Sequence, residues 1–243
     1  MMEMIAAKLF SALAAGAMVL AAPTPVDKGL LPEVSRWEAD IQAQGAPGLI
    51  RQGADIQAFE EVDRQNPPAK GGVLFIGSSS IKGWRTLKED FPEVNSINRG
   101  FGGSQIEDSV RYARRIALPY KPRIIVLYAG ENDLSGGKTP QQVFEDYRAF
   151  VRLIHAHQPQ TRIIFISLKP SGRLWHIEDK IVEANRLIQQ HTETSRRLDF
   201  VDIHDKMLGQ DGKPHPELYQ PDELHMTPAG FQIWVEALRP YLR

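Results

Sequence analysis

Ser79 stands in the stretch Phe75-Ile76-Gly77-Ser78-Ser79-Ser80, where a short apolar run meets a glycine and then three consecutive hydroxyls. A serine hydroxyl becomes a nucleophile when a neighbouring base takes its proton. A base candidate is His225, in Pro221-Asp222-Glu223-Leu224-His225-Met226-Thr227-Pro228. Asp222 precedes it in the same short segment, and a carboxylate so placed can hold the imidazole tautomer and stabilise its cation. Two further segments offer hydrogen-bond donors. Asn98-Arg99-Gly100-Phe101-Gly102-Gly103-Ser104 leaves bare backbone N–H groups at the start of a helix, a turn suited to an anion or a developing oxyanion. Tyr128-Ala129-Gly130-Glu131-Asn132-Asp133 adds a side-chain N–H from Asn132.

Each segment alone has a plainer meaning. The serine stretch reads as a strand-to-helix turn with Ser80 or a neighbour as N-cap. The glycine turn suits phosphate equally well, although its spacing is not that of a dinucleotide site. Asn132 and Asp133 are common turn residues, and His225 on its own is an ordinary surface histidine. Together they supply a nucleophile, a base, an orienting acid and oxyanion donors, which is the set that ester hydrolysis needs.

The elements that must position these groups alternate between strand and helix. Val73–Ile76, Val94–Ile97, Arg123–Ala129, Arg162–Leu168 and Leu198–Ile203 read as strands. Helices are expected over Trp37–Gln44, Gly53–Gln65, Ser104–Ala117, Thr139–His157, Trp175–Thr192 and Pro228–Leu238. Ser104-x-x-Glu107 reads as a capping box, and Gly45-Ala46-Pro47-Gly48 as a break between the first two helices. This alternation implies an α/β fold with a parallel sheet covered on both faces. The four chemical segments then fall at one edge of the sheet, where α/β proteins bind ligands.

The four segments, in this order, resemble the SGNH (GDSL-type) hydrolases over roughly residues 70–240. The likeness is closest to compact bacterial members and to the catalytic subunits of platelet-activating-factor acetylhydrolase. It implies a three-layer α/β/α sandwich with a five-stranded parallel sheet in flavodoxin-like order. It implies Ser79 as nucleophile, Asp222 and His225 as its partners, and Ser79, Gly103 and Asn132 as the oxyanion hole. Neither cofactor nor metal is called for. One position departs: the family has Asp where this chain has Ser78, which leaves the hydrogen bonding of that loop open and makes Ser80 a minor rival nucleophile. Position 81 is Ile, so the G-x-S-x-G elbow of the α/β-hydrolases is absent.

The chain has 243 residues and a formal charge of −1, which leaves no electrostatic footprint for nucleic acid. The basic cluster Arg111, Arg114 and Arg115 reads as a solvated helix face. There are no cysteines, hence no disulfide, thiolate metal site or cysteine nucleophile. His155 and His157 are poorly spaced for a metal, and the remaining histidines read as solvated. Lys8 and the apolar run from Leu9 to Ala22 match a secretory signal, with cleavage after Ala21 or Ala22. The expected organisation is therefore a signal peptide over 1–22, a linker and helices over 23–69, and a hydrolase domain over 70–243. Export to the periplasm or medium follows, with an uncleaved membrane anchor as the rival. The expected substrate is a small-molecule, glycan or lipid ester, with Tyr128, Arg173 and Trp175 lining the site. The rival functions are a non-catalytic carbohydrate- or lipid-binding protein on the same scaffold and a nucleotide-binding module.

Overall fold

The computed structural model describes residues 47–243, with side chains from residue 53. The signal segment, the linker and the helix expected over Trp37–Gln44 lie outside the described residues. Five parallel strands form one sheet in the order β2-β1-β3-β4-β5. They are β1 (Val73–Gly77), β2 (Ser96–Gly100), β3 (Ile124–Tyr128), β4 (Arg162–Ile166) and β5 (Leu198–Val201). β1 and β3 are buried along their whole length, so they read as unbroken apolar runs rather than alternating ones. The strand order is the flavodoxin-like one. Gly77 pairs across to Gly100 on one side and Tyr128 on the other, so three strands finish level at the carboxyl edge.

The helices are α1 (Pro47–Gln65), α2 (Ser79–Lys82), α3 (Leu87–Asp90), α4 (Ile106–Ile116), α5 (Glu131–Ser135), α6 (Pro140–His157), α7 (Glu178–Thr192) and α8 (Pro228–Leu238). Helices α1, α4, α6 and α7 pack one against the next on one face. The other face holds an aromatic cluster in which Trp84 meets Phe75, Phe91 and Trp234, and Trp234 meets Tyr128 at 4.5 Å between ring centroids. Right-handed crossovers in this strand order send the β1–β2 connection to the face opposite the other three, which accounts for the split.

Four sequence expectations shift. The Pro47–Gly48 pair does not delay α1, because proline fits the first turn of a helix, where its missing N–H has no partner to lose. β2 lies later than expected and contains polar residues, of which Asn98 and Arg99 find partners for their side chains. Asn98 donates to Ile81 O at 2.7 Å and accepts from Gly100 N–H at 2.9 Å. The cap of α4 is Gln105 with Asp108, not Ser104 with Glu107, since Asp108 accepts from Gln105 N–H at 2.9 Å. Trp175–Ile177 forms a separate 3₁₀ turn ahead of α7.

Helix α1 is tied to the domain by buried and charged contacts. Ile56 is fully buried. Asp63 accepts from Arg99 and from the Tyr120 hydroxyl, each at 2.5 Å, and the Arg99 guanidinium stacks between the Phe59 and Tyr120 rings. Arg115 lies on an exposed helix face, as expected, and there forms a two-pronged pair with Glu60 at 2.7 Å. Asp55 accepts from Lys82 at 2.8 Å, linking α1 to the helix that begins with Ser79. Among the described residues, no helix is long and apolar enough to cross a membrane.

Candidate active site

Chain direction changes sharply after β1. Gly77 has φ +139°, a region closed to side chains, and a Cβ there would lie 1.9 Å from Tyr128 O. The turn places Ser79 at the first position of α2, where its N–H has no carbonyl of its own helix to bond. Ser79 is half-buried, whereas Ser80 is 4% exposed. Ser78 caps α2 through the main chain alone. Its N–H donates to Tyr128 O at 2.9 Å, its carbonyl accepts from Lys82 N–H at 3.1 Å, and its side chain makes no capping bond. Backbone contacts therefore hold this loop.

His225 arrives from a tight loop. Tyr219 and Met226 form an antiparallel bridge, and Gln220 N–H donates to His225 O at 2.7 Å. Within that loop Asp222 Oδ1 accepts from Leu224 N–H at 3.0 Å and His225 N–H at 2.9 Å. Its Oδ2 lies 2.5 Å from His225 Nδ1, and His225 Nε2 lies 3.0 Å from Ser79 Oγ. Partial burial pushes the Asp222 carboxyl upward, but the imidazole N–H and the two backbone N–H groups outweigh this and hold it at about 2. The carboxylate is ionised at neutral pH and can only accept, so it fixes the proton on Nδ1 and turns the Nε2 lone pair toward the serine.

The two candidate donor segments hold each other. Gly103 lies in the exposed turn after β2 with φ +71°. Asn132, in the first turn of α5, donates from Nδ2 to Ser104 O at 2.9 Å, which fixes its amide and leaves a second N–H. Asp133, fully buried, accepts from Ile106 N–H at 3.2 Å and from Lys138 at 3.3 Å. Behind them Lys169 and Glu131 form a buried ion pair at 2.6 Å. These anchors were not singled out in the sequence. Asp133 is visible there only as a turn residue, and its partners lie on other elements.

Burial raises the Asp133 carboxyl to about 6, against the opposing pull of Lys138 and the Ile106 N–H. The folded protein thus binds this proton more tightly than the unfolded chain. Its ionisation subtracts stability above about pH 6, and that loss is relieved as pH falls toward the ordinary carboxylate value of 3.8. The Tm of Asp133→Asn relative to wild type is therefore expected to be higher at pH 7 than at pH 4.5. A difference independent of pH would contradict this.

The remaining expected residues separate. Tyr128 is fully buried against Trp234 and does not line the site. Trp175 is half-buried beside the histidine loop, and Arg173 is exposed with its N–H donating to Glu223 O at 3.3 Å. His204, expected to be solvated, is held between Glu178 and Asp205 at 2.5 and 2.9 Å because its loop folds back on α7. Among the described residues no cluster of three or more histidine or carboxylate side chains suits a metal.

Comparison with known proteins bears on the fold and the family. The alpha1 subunit of human platelet-activating factor acetylhydrolase IB is 28% identical over 179 residues, spanning 70% of this chain and 74% of that subunit. A solved GDSL-like lipase from Bacteroides thetaiotaomicron superposes with a TM-score of 0.66 at 21% identity, covering 78% of this chain and 97% of its own. A carbohydrate esterase family 3 protein from Talaromyces cellulolyticus gives a TM-score of 0.53 at 20% identity, over 70% and 95% of the two chains. Both structures share the fold. Residues 74–233, a stretch that begins after α1 and contains Ser79, Gly103, Asn132, Asp222 and His225, match the GDSL-like Lipase/Acylhydrolase family, and the chain belongs to that family of hydrolases.

Proposed function

We propose that this hydrolase cleaves short-chain carboxylic esters through an acyl-enzyme on Ser79. The observation that carries the reading is the line from Ser79 Oγ through the His225 ring to the ionised Asp222. Ser79 Oγ attacks the ester carbonyl carbon while its proton passes to His225 Nε2. The tetrahedral oxyanion is held by the N–H groups of Ser79, Gly103 and the Asn132 side chain. Collapse breaks the bond to the alcohol, which leaves with the proton from Nε2. Water, deprotonated by the same nitrogen, then releases the acid and restores Ser79. The imidazolium formed at each step faces Asp222. No step calls for a metal or cofactor.

The connections that lead from β1, β2 and β3 into their helices are short, which favours small acyl groups. The apolar N-terminus with Lys8 supports export, so that an ester of the cell envelope or of an external glycan is within reach. The direct test is a fluorophosphonate probe on purified protein, with the modified tryptic peptide identified by mass. Labelling confined to Ser79, together with turnover of p-nitrophenyl acetate or butyrate, supports the reading. A protein that resists the probe and turns over no ester, yet binds a glycan or lipid, is the non-catalytic scaffold instead.

A further inference from the structure

The stretch that matches the hydrolase family begins at residue 74, yet α1 reaches the candidate active site from outside it. The helix is fastened to the edge strand β2 through Arg99, which is buried with its guanidinium between the Phe59 and Tyr120 rings and 2.5 Å from Asp63. Ile56, on the same helix, is fully buried. Together these contacts fix the rotation of α1 and its height on the sheet. Asp55 then stands about two turns, roughly 12 Å along the axis, before Asp63. Its two carboxylate oxygens each lie 2.8 Å from Lys82 Nζ, and Oδ2 also accepts from Gly102 N–H at 3.4 Å.

Both partners of Asp55 belong to the site. Lys82 closes α2, whose first residue is Ser79, and Gly102 precedes Gly103 in the donor turn. The N–H groups of that turn can be followed one by one. Phe101 N–H donates to Gly77 O at 2.9 Å, and Gly102 N–H to Asp55. Gly103 N–H, the next along, finds no partner among the described residues. Beyond it, Ser104 O accepts from Asn132 Nδ2 at 2.9 Å. Gly103, exposed and at φ +71°, is thus the residue between an anchor on α1 and an anchor on α5. Two adjacent glycines have the most conformational freedom to lose, whereas an oxyanion donor works only if it is in place before charge develops. Asn98 joins α2 to the end of β2, but its bonds stop at Gly100. The Asp55–Lys82 pair is partly exposed, with side chains 28% and 51% accessible, so it adds little to stability. Its effect belongs to the geometry of the turn.

We propose that Asp55 is a positioning residue for the oxyanion hole, holding the Gly102–Gly103 turn in register with the helix of Ser79 so that Gly103 N–H is set before the ester arrives. This rests on the esterase reading of Ser79 and Gly103. Helix α1 is then part of the catalytic unit, although it lies outside the matched stretch. Loss of one oxyanion donor outright costs on the order of a hundred- to a thousand-fold in rate. Asp55 loosens a donor rather than removing it, and its bond to Gly102 is long, so its loss costs less.

The test measures kcat and KM for p-nitrophenyl acetate, with Tm, in Asp55→Ala and Asp55→Asn. Asp55→Ala is expected to lower kcat about tenfold with KM and Tm close to wild type, the pattern of an interaction used in the transition state. Asp55→Asn keeps an oxygen that accepts from Gly102 N–H, and its kcat is expected to recover to within about threefold of wild type. A kcat in Asp55→Ala within about twofold of wild type overturns the proposal. So does a loss that follows Tm and that asparagine does not recover, since that is a structural role. Hydrogen exchange of peptides spanning residues 100–104 separates this outcome from failure of the esterase reading. A wild type that hydrolyses no ester removes that reading. Faster exchange of the turn in Asp55→Ala then still upholds the anchor, and unchanged exchange overturns it.

Discussion

Ser79→Ala is expected to lower kcat for p-nitrophenyl acetate by about 10⁵-fold while leaving the fold intact, since single losses of a serine nucleophile approach the loss of the whole catalytic set. The side chain forms a hydrogen bond to His225 Nε2 at 3.0 Å, and alanine removes the oxygen that would carry the acyl group. Alanine is also the best helix former, and position 79 opens α2, so neither the helix nor the glycine turn loses support. Tm and the far-ultraviolet circular dichroism are expected to match wild type, which separates lost chemistry from lost structure. Ser80→Ala is the control. Ser80 is buried at 4% exposure, and its removal is expected to change kcat by no more than a few-fold. Full activity in Ser79→Ala would falsify the nucleophile assignment. Loss in Ser80→Ala alone would move it one residue on.

The candidate catalytic residues were the most legible part of the sequence, because most of them sit where a strand pattern stops. Val73–Ile76 and Arg123–Ala129 announce buried parallel strands by apolarity alone, and a parallel sheet brings their carboxyl ends to one edge whatever the connections do. Asp222 and His225 are close in sequence, so local geometry suffices to join them. The groups that hold the site were not legible. Asp133 reaches Ile106, Asn132 reaches Ser104, and Lys169 reaches Glu131 across different elements, and no local pattern records such pairs. β2 was misplaced for the same reason. Asn98 and Arg99 look wrong for a strand until Ile81 O and Asp63 satisfy them. Tyr128 shows the converse error. An aromatic residue beside a functional motif looked like a substrate contact, yet it is fully buried and packs against Trp234 from the closing helix.

Gly77→Ala is the substitution expected to cost most stability, about 4 kcal/mol, at the exceptional end of single changes. Two penalties combine. A φ of +139° lies where only glycine is comfortable, and the added Cβ would stand 1.9 Å from Tyr128 O and 2.6 Å from Tyr128 C. Those atoms end β3, which is paired to β1 on one side and β4 on the other, so the strand cannot yield without disturbing the centre of the sheet. The main chain of β1 cannot yield either, because Ser78 N–H is bonded to Tyr128 O and Gly77 O accepts from Phe101 N–H, both at 2.9 Å. At this chain length such a loss corresponds to a fall in Tm of about 10 °C, with much of the protein insoluble. Gly71→Ala isolates the backbone term. Gly71 also has a positive φ, +80°, but nothing lies within 4 Å of its added Cβ, and its cost is expected near 1 kcal/mol. Thermal unfolding of the two variants therefore reads the steric term by difference. Equal Tm values would show that the approach of Gly77 to β3 is not what fixes the turn. If the difference is found, any Gly77→Ala protein that still folds must have moved the chain at Ser78. Its esterase activity should then fall beyond the loss of folded protein, because Ser79 no longer meets His225.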